Sequence, residues 1–329
     1  MIDILSDTNW LNPQVDFLVF LQNIRMAHSD ICNKFFLSIT VFGEIWLPTL
    51  ICAIIYWCFS FRNGIYMFSL LSLNVFITHF LKLIAGVYRP WVLSNRVKPI
   101  ETALRFATSY SFPSGHSAMS SSTLGGLAFI LRKHKIVVIP AILLILMVGL
   151  SRLWLGVHTP QDVIVGFMTG LILIFAVNHL INWAEQDKNR YLYTLITINI
   201  LVVLGFIYIR YFNSYPADYI DGKILVNPFK AIKNTVMFYG YALGLINGCF
   251  LCRRFFPFEA EKGTVKTRII RGTVGAALLI YILRGPAQYI LDSSFSYLVS
   301  ASAMFIYGII LTAIYPLVFS NFENKFCNK

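Results

Sequence analysis

Three clusters, far apart in the chain, hold side chains suited to gripping a phosphoryl group and attacking it. In the first, Lys82 is followed after six residues by Arg89 and Pro90. The second is Tyr110-Ser111-Phe112-Pro113-Ser114-Gly115-His116-Ser117, and in the third Ser151 and Arg152 precede His158, with Asp162 four residues beyond it. Lys82, Arg89 and Arg152 are cations at the edges of apolar runs, where an unpaired charge is costly and a bound anion offsets the cost. Ser114 follows Pro113 and opens a helical run, so it can cap that helix while Gly115, lacking a side chain, lets backbone N–H groups approach phosphate oxygens. His158 precedes Thr159 and Pro160, a cap and a first-turn proline, which puts Asp162 one turn on and beside the imidazole. A carboxylate that accepts Nδ1–H fixes the tautomer and leaves Nε2 free to attack. His116 is then left to protonate the departing oxygen, so two histidines serve as nucleophile and general acid.

The elements that must position these clusters cross a membrane. Hydrophobic residues make up 57% of the chain and charged residues 13%, with a mean hydropathy of +0.68, far outside the soluble range. Several apolar runs approach or exceed the ~20 residues that a helix needs to span a bilayer. We expect an all-α fold, a polytopic transmembrane helical bundle, with spans near 35–60, 64–86, 115–131, 136–155, 160–183 and 191–211 and three more near 234–252, 268–285 and 294–319. Residues 34–211 then form a six-helix core and 212–329 additional C-terminal transmembrane helices. Residues 1–33 form an N-terminal interfacial segment, because the apolar stretch from Val15 to Ile24 is interrupted by Asp16, Gln22 and Asn23. Met1 to Leu11 is polar and acidic with no basic start, so no secretory signal peptide is expected.

The net charge of +12 comes from 27 Lys and Arg scattered through short loops, which argues against a nucleic-acid face and for membrane topology. Arg132, Lys133 and Lys135, then Lys188 and Arg190, then Arg253, Arg254, Lys262, Lys266 and Arg268 fall in loops on one side, which should be cytoplasmic. Segments 87–114 and 152–159, which carry the chemistry, then share the exoplasmic side. Cys32, Cys52, Cys58, Cys249, Cys252 and Cys327 show no paired framework. The C-x-x-C spacing of Cys249 and Cys252 lacks a second pair or neighbouring histidines, so buried apolar cysteine is expected there rather than a metal or redox site.

Lys82 to Pro90, Pro113 to His116 and Ser151 to Asp162 together resemble, in order and spacing, the three signature motifs of the type 2 phosphatidic acid phosphatase superfamily. The likeness covers about residues 64–180 closely. It implies a covalent phosphohistidine mechanism with neither metal nor cofactor: His158 as nucleophile, Asp162 as its partner, His116 as general acid, and Lys82, Arg89, Ser114, Gly115 and Arg152 as the phosphate-binding cradle. The run from Ser151 to Asp162, with the helices after 234, is also similar to the sphingosine-phosphate phosphatase branch. One departure is that six-helix relatives carry the first motif after a third helix, whereas here it follows the second clear span.

The resemblance implies metal-independent hydrolysis of a lipid phosphate or lipid pyrophosphate, the partners being that lipid and the bilayer. The alternative is a phosphotransferase that passes the same phosphoryl group to a lipid or glycan hydroxyl. Richness in Ile, Asn, Lys and Phe suggests an AT-rich bacterial genome and a plasma-membrane location, with the endoplasmic reticulum membrane as the eukaryotic alternative. The motifs read only the phosphate and leave the lipid unspecified. Outside them, Glu44 inside the first span is expected to make a structural hydrogen bond between helices, and Asn74, Thr78 and Lys82 share one face of the second. His79 and His179 are expected to be packed or interfacial, and Trp46, Trp154 and Trp183 to be interface anchors. Trp91, Arg96, Lys98 and Arg105 lie in the loop between the first two motifs, where headgroup selection and solvated loop charge are equal readings.

Overall fold

The computed structural model describes residues 10–326 except 28–29, 105–106, 108, 214, 216, 218 and 221–222. Arg105 and Cys327, singled out above, lie outside the described residues, as does most of the segment from Met1 to Leu11. The fold is helical, apart from a two-residue hairpin at 219–224. It opens with α1 (Asn12–Ala27) and α2 (Asp30–Ile39), the latter tightening into a 3-10 turn, Thr40–Gly43. Then come α3 (Trp46–Ile54), which widens into a π turn, Ile55–Phe59, and α4 (Phe61–Ala85). The short α5 (Pro90–Leu93) and α6 (Glu101–Leu104) lead to α7 (Gly115–Ile130), α8 (Lys135–Trp154), α9 (Pro160–Ala184) and α10 (Lys188–Ile207). The C-terminal part is α11 (Pro228–Phe255), α12 (Val265–Arg284), α13 (Pro286–Asp292), α14 (Tyr297–Ile309) with a π turn at Ile310–Ile314, and α15 (Tyr315–Phe326).

Among the described residues, seven helical stretches are long and apolar enough to cross a membrane. The span expected at 35–60 is instead two helical arms, Asp30–Gly43 and Trp46–Phe59, meeting at 52°. The bend lies where the first arm packs closely on α7: a Cβ on Gly43 would come within 2.6 Å of the Cβ of His116. Glu44 sits at this corner in extended conformation and accepts from Trp46 Nε1 at 2.9 Å, a local bond rather than the expected one between helices.

Helix α7 is the axis of the site. Its 16 residues span about 24 Å, and ten of them are buried, among them Ser117, Ser120, Ser121, Ser122 and Thr123. Small residues let neighbouring backbones close in: a Cβ on Gly166 of α9 would lie 2.7 Å from the Ser114 carbonyl oxygen. Asn74 of α4 binds α7 from the other side, donating to the Ala118 carbonyl at 2.7 Å, and Thr78 donates to Asn74 Oδ1 at 2.8 Å. His79 packs at a tilt on Phe238, ring centroids 4.5 Å apart, while His179 is exposed.

The C-terminal helices share the core rather than hang from it. Helix α11 lies against both α4 and α14, and Cys249 and Cys252 are buried there with Tyr56 and Trp57. A π turn leaves carbonyl oxygens displaced from the regular ladder, and those at 311 and 312 accept from the other π turn: Trp57 Nε1 to Leu311 at 3.0 Å and Tyr56 Oη to Thr312 at 2.8 Å. At the same end, buried Arg271 of α12 donates to the Trp57 and Ala260 carbonyls and pairs with Glu323 of α15. Glu185, closing α9, pairs with Arg62 of α4 at 2.8 Å and Arg253 of α11 at 2.9 Å. The basic loops therefore gather at the end opposite the three motifs.

Candidate active site

His158 is placed by two helix-terminating devices back to back. Helix α8 stops in a Schellman motif: Gly156, at φ 72°, donates its N–H to the Leu153 carbonyl at 3.0 Å, and Val157 donates to the Arg152 carbonyl at 3.2 Å. Helix α9 starts two residues later in a capping box, with Thr159 Oγ1 accepting from the Asp162 N–H at 3.3 Å and Asp162 Oδ2 accepting from the Thr159 N–H at 2.9 Å. One residue, His158, is left between the stop and the cap, so its direction is set by backbone hydrogen bonds on both sides.

The imidazole is 2% exposed and engaged at both nitrogens. Nδ1 lies 3.2 Å from Asp162 Oδ2, and Nε2 lies 2.9 Å from Arg89 Nη1. Arginine only donates and an ionised carboxylate only accepts, so this pair of partners selects the neutral ring protonated at Nδ1 with its lone pair on Nε2. Burial pushes the pKa of His158 well below the ordinary 6.5, and the charges of Arg89, Lys82 and Arg152 push the same way.

The cations surround that lone pair. Arg89 also donates to the carbonyls of Ser109 at 2.9 Å and Val157 at 2.8 Å. Lys82, in the last turn of α4, donates to the carbonyls of Tyr110 and Ser111, each at 3.0 Å. Arg152 donates from Nη1 to Thr40 Oγ1 at 2.7 Å, while its buried Nε–H has no partner among the described residues. An orphaned buried donor is costly, and this one belongs to a cation whose field reaches both His116 and His158. Ser114 caps α7 by accepting from the Ser117 N–H at 3.4 Å and donates its own N–H to the Asp162 carbonyl at 2.9 Å. A Cβ on Gly115 would make only ordinary contacts, with Lys82 Cε at 3.7 Å and Thr78 Cγ2 at 3.9 Å. His116, one residue into α7, lies in the fields of Arg152, His158, Arg89 and Lys82.

Every expected site residue, Lys82, Arg89, Ser114, Gly115, His116, Arg152, His158 and Asp162, thus falls in one place. Two further residues belong there. Ser111 Oγ donates to Asp162 Oδ2 at 2.5 Å and lies 3.3 Å from His158 Nδ1, so Oδ2 holds three donors at once. Ser111 stood inside the second cluster with nothing in its spacing to mark it. Thr40, inside an apolar run, carries no sequence signal. In the loop between the first two motifs, Trp91 lies under Arg89 at 5.9 Å and Arg96 pairs with Asp16 at 2.7 Å. Trp154, expected as an interface anchor, is instead 8% exposed and donates to Asn33 Oδ1 at 3.0 Å.

Comparison with known proteins places the same stretch in context. Residues 63–186 match the PAP2 superfamily, and residues 236–325 match the PAP2 superfamily phosphatase transmembrane extension. Phosphatidylglycerophosphatase B of Bacillus subtilis is 40% identical over 117 residues, 33% of this chain and 56% of that protein. Undecaprenyl-diphosphatase of Sulfolobus acidocaldarius is 29% identical over 110 residues, 32% of this chain and 52% of that protein. The chain spans about half the length of these curated relatives. The crystal structure of a transmembrane PAP2 type phosphatidylglycerolphosphate phosphatase from Bacillus subtilis aligns with a TM-score of 0.41 and 25% identity, over 56% of this chain and 92% of that one.

Proposed function

The chain belongs to the PAP2 superfamily, and from that premise we propose that it hydrolyses the phosphate or pyrophosphate of a membrane lipid through a phosphohistidine at His158. The observation that carries this reading is the state of the His158 ring: its Nδ1 faces Asp162 at 3.2 Å and its Nε2 faces Arg89 at 2.9 Å inside a shell of cations. A neutral imidazole in an electropositive cradle is a nucleophile aimed at an anion. The relatives' names, a phosphatidylglycerophosphatase and an undecaprenyl-diphosphatase, support lipid phosphate as the substrate class.

In the first half-reaction the Nε2 lone pair attacks phosphorus, and the bond from phosphorus to the leaving oxygen breaks. His116, protonated, gives its proton to that oxygen, so the lipid leaves as a neutral alcohol or as the shorter phosphate. Arg89 passes its Nη1 donor from Nε2 to a phosphate oxygen, and the orphaned Nε–H of Arg152 acquires its acceptor. In the second half-reaction water attacks the phosphorus, His116 takes the proton of that water, and the P–N bond breaks to release phosphate and neutral His158. Asp162 stabilises the ring while it carries positive charge. Three cations and one carboxylate supply the electrostatics without a divalent ion. We place the site on the exoplasmic face of a bacterial plasma membrane, a reading supported by the basic loops at the opposite end of the bundle.

The test is phosphate release by purified protein from phosphatidylglycerophosphate, phosphatidate, undecaprenyl diphosphate and a sphingoid phosphate, with EDTA present throughout. Release from at least one of them, abolished by His158→Ala, is expected. No release from any, or undiminished turnover by folded His158→Ala, overturns the proposal.

A further inference from the structure

The catalytic loops do not hold themselves in place. Helix α1, before the first motif and outside the matched family region, reaches the end of α8, the loop at 96–98 and the first turn of α9. Arg25 is only 9% exposed, yet among the described residues its guanidinium pairs with no carboxylate. It donates from Nη1 to the Trp154 carbonyl at 2.7 Å and from Nη2 to the Lys98 carbonyl. Trp154 ends α8, so its carbonyl is one of the helix's unpaired terminal acceptors at the negative end of the dipole, where a cation is favoured. Gln22 binds the same loop in both directions, accepting from the Lys98 N–H at 2.6 Å and donating to the Arg96 carbonyl at 3.3 Å. Gln14 accepts from the Gln161 N–H at 3.0 Å, in the first turn of α9 and one residue from Asp162. Val15 and Leu18 are 2% exposed and pack on Val97, Leu93 and Leu153.

The loop gripped by Arg25 and Gln22 in turn supports the catalytic turn. Ile100 donates to the Leu155 carbonyl at 3.1 Å, and the Cα of Pro99 lies 3.2 Å from where a Cβ on Gly156 would be. Gly156 and Leu155 are the residues of the Schellman stop that aims His158.

We propose that α1 positions the nucleophile, with Arg25 as its principal positioning residue: by capping α8 and fixing the 96–100 loop it holds the turn at 155–158, and hence Nε2 of His158, in line for attack. Because this rests on the phosphohistidine reading above, its test has one arm that needs no activity. An error of about 1 Å in the placement of a reacting atom costs on the order of 100-fold in rate, so α1 contributes to turnover without touching substrate.

The experiment compares wild type with Arg25→Ala, Arg25→Lys and Gln22→Ala as full-length protein in detergent micelles. Hydrogen exchange is the activity-independent arm, and Arg25→Ala should lose protection at 96–100 and 155–161 while α4 and α11 keep theirs. In the kinetic arm, on the lipid phosphate that wild type hydrolyses, kcat should fall about 10- to 100-fold with KM changed less than about threefold. Vanadate, which must bond to Nε2 to mimic the five-coordinate state, should inhibit more weakly by a similar factor, while inorganic phosphate should not. Arg25→Lys, a single ammonium unable to reach both carbonyls with the guanidinium's geometry, should recover only part of the loss. If Arg25→Ala does not accumulate folded, Gln22→Ala carries the same comparison with a smaller change. Unchanged exchange at 155–161, or a kcat loss that tracks folded fraction with vanadate inhibition unaltered, overturns the proposal. Loss of protection in a wild-type background that releases no phosphate would uphold the positioning role and sink only the reaction.

Discussion

Replacing Asp162 by Asn removes one charge and almost nothing else, which makes it a clean probe of the nucleophile. Asp162 Oδ2 accepts from Ser111 Oγ at 2.5 Å, the Thr159 N–H at 2.9 Å and His158 Nδ1 at 3.2 Å. The amide oxygen of Asn can keep the first two, so the capping box survives and the fold should lose only about 1 kcal/mol. The third changes character during turnover, because the ring becomes cationic as the P–N bond forms. For charge centres about 4 Å apart and an effective dielectric of about 20, a unit pair is worth about 4 kcal/mol, or about 10³ in rate. In the proposed mechanism substrate binding rests on Lys82, Arg89 and Arg152, whose hydrogen bonds to protein do not involve Asp162. The expected result is a fall in kcat of about 10³-fold with KM within a few-fold, read from steady-state phosphate release and single-turnover labelling of the protein under alkaline quench. A loss smaller than tenfold, or one confined to KM, would refute the assignment of Asp162 to the cationic ring.

His116→Ala should slow formation of the phosphoenzyme most for poor leaving groups and least for a nitrophenyl ester, a contrast that rapid-quench labelling measures. Burial first, then Arg89, Lys82 and Arg152, lower the pKa of His158; the neutral ring attacks, so the acid limb of kcat/KM should lie below pH 6.5, and Arg89→Ala should move it upward. Gly156→Ala forces a side chain into φ 72° against Pro99, costing about 1–2 kcal/mol, seen as a lower Tm together with reduced kcat. Single cysteines at Lys98 and at Lys133 in a cysteine-free background should differ in intact cells: an impermeant maleimide labels 98 and spares 133, and the reverse pattern removes the outer-face assignment.

The three motifs were legible because their signals are local. Thr159, Pro160 and Asp162 write the start of α9 in four residues, and Gly156 writes the stop of α8, so the position of His158 follows from spacing alone. Long apolar runs likewise put α4 and α8–α10 within a few residues of their observed bounds. What stayed hidden depends on contacts between distant segments. The corner at Glu44 lies where Gly43 packs on His116, more than seventy residues later, and hydropathy averaged over a window passes straight through it. Ser111 and Thr40 join the site only because α9 and α8 bring Asp162 and Arg152 to them. In α1, Gln22 reads as an interruption of an apolar stretch and Arg25, just beyond that stretch, carries no signal of its own, whereas the two fasten the helix to the loops.

The bonds between the two π turns also set an order in time. Trp57 and Tyr56 find their acceptors at Leu311 and Thr312, some 250 residues later in the chain, and Arg271 waits for Glu323. At about 5–20 residues per second of synthesis, the first arms of the bundle leave the ribosome tens of seconds before their partners. During that interval an indole N–H, a phenol and then a guanidinium must be satisfied by lipid headgroups, water or a chaperone of membrane insertion. Closure of the bundle is therefore a late event in biogenesis, and a chain that stops short of residue 311 should be recognised by quality-control proteases as unfinished, even though every residue of the reaction site has already been made.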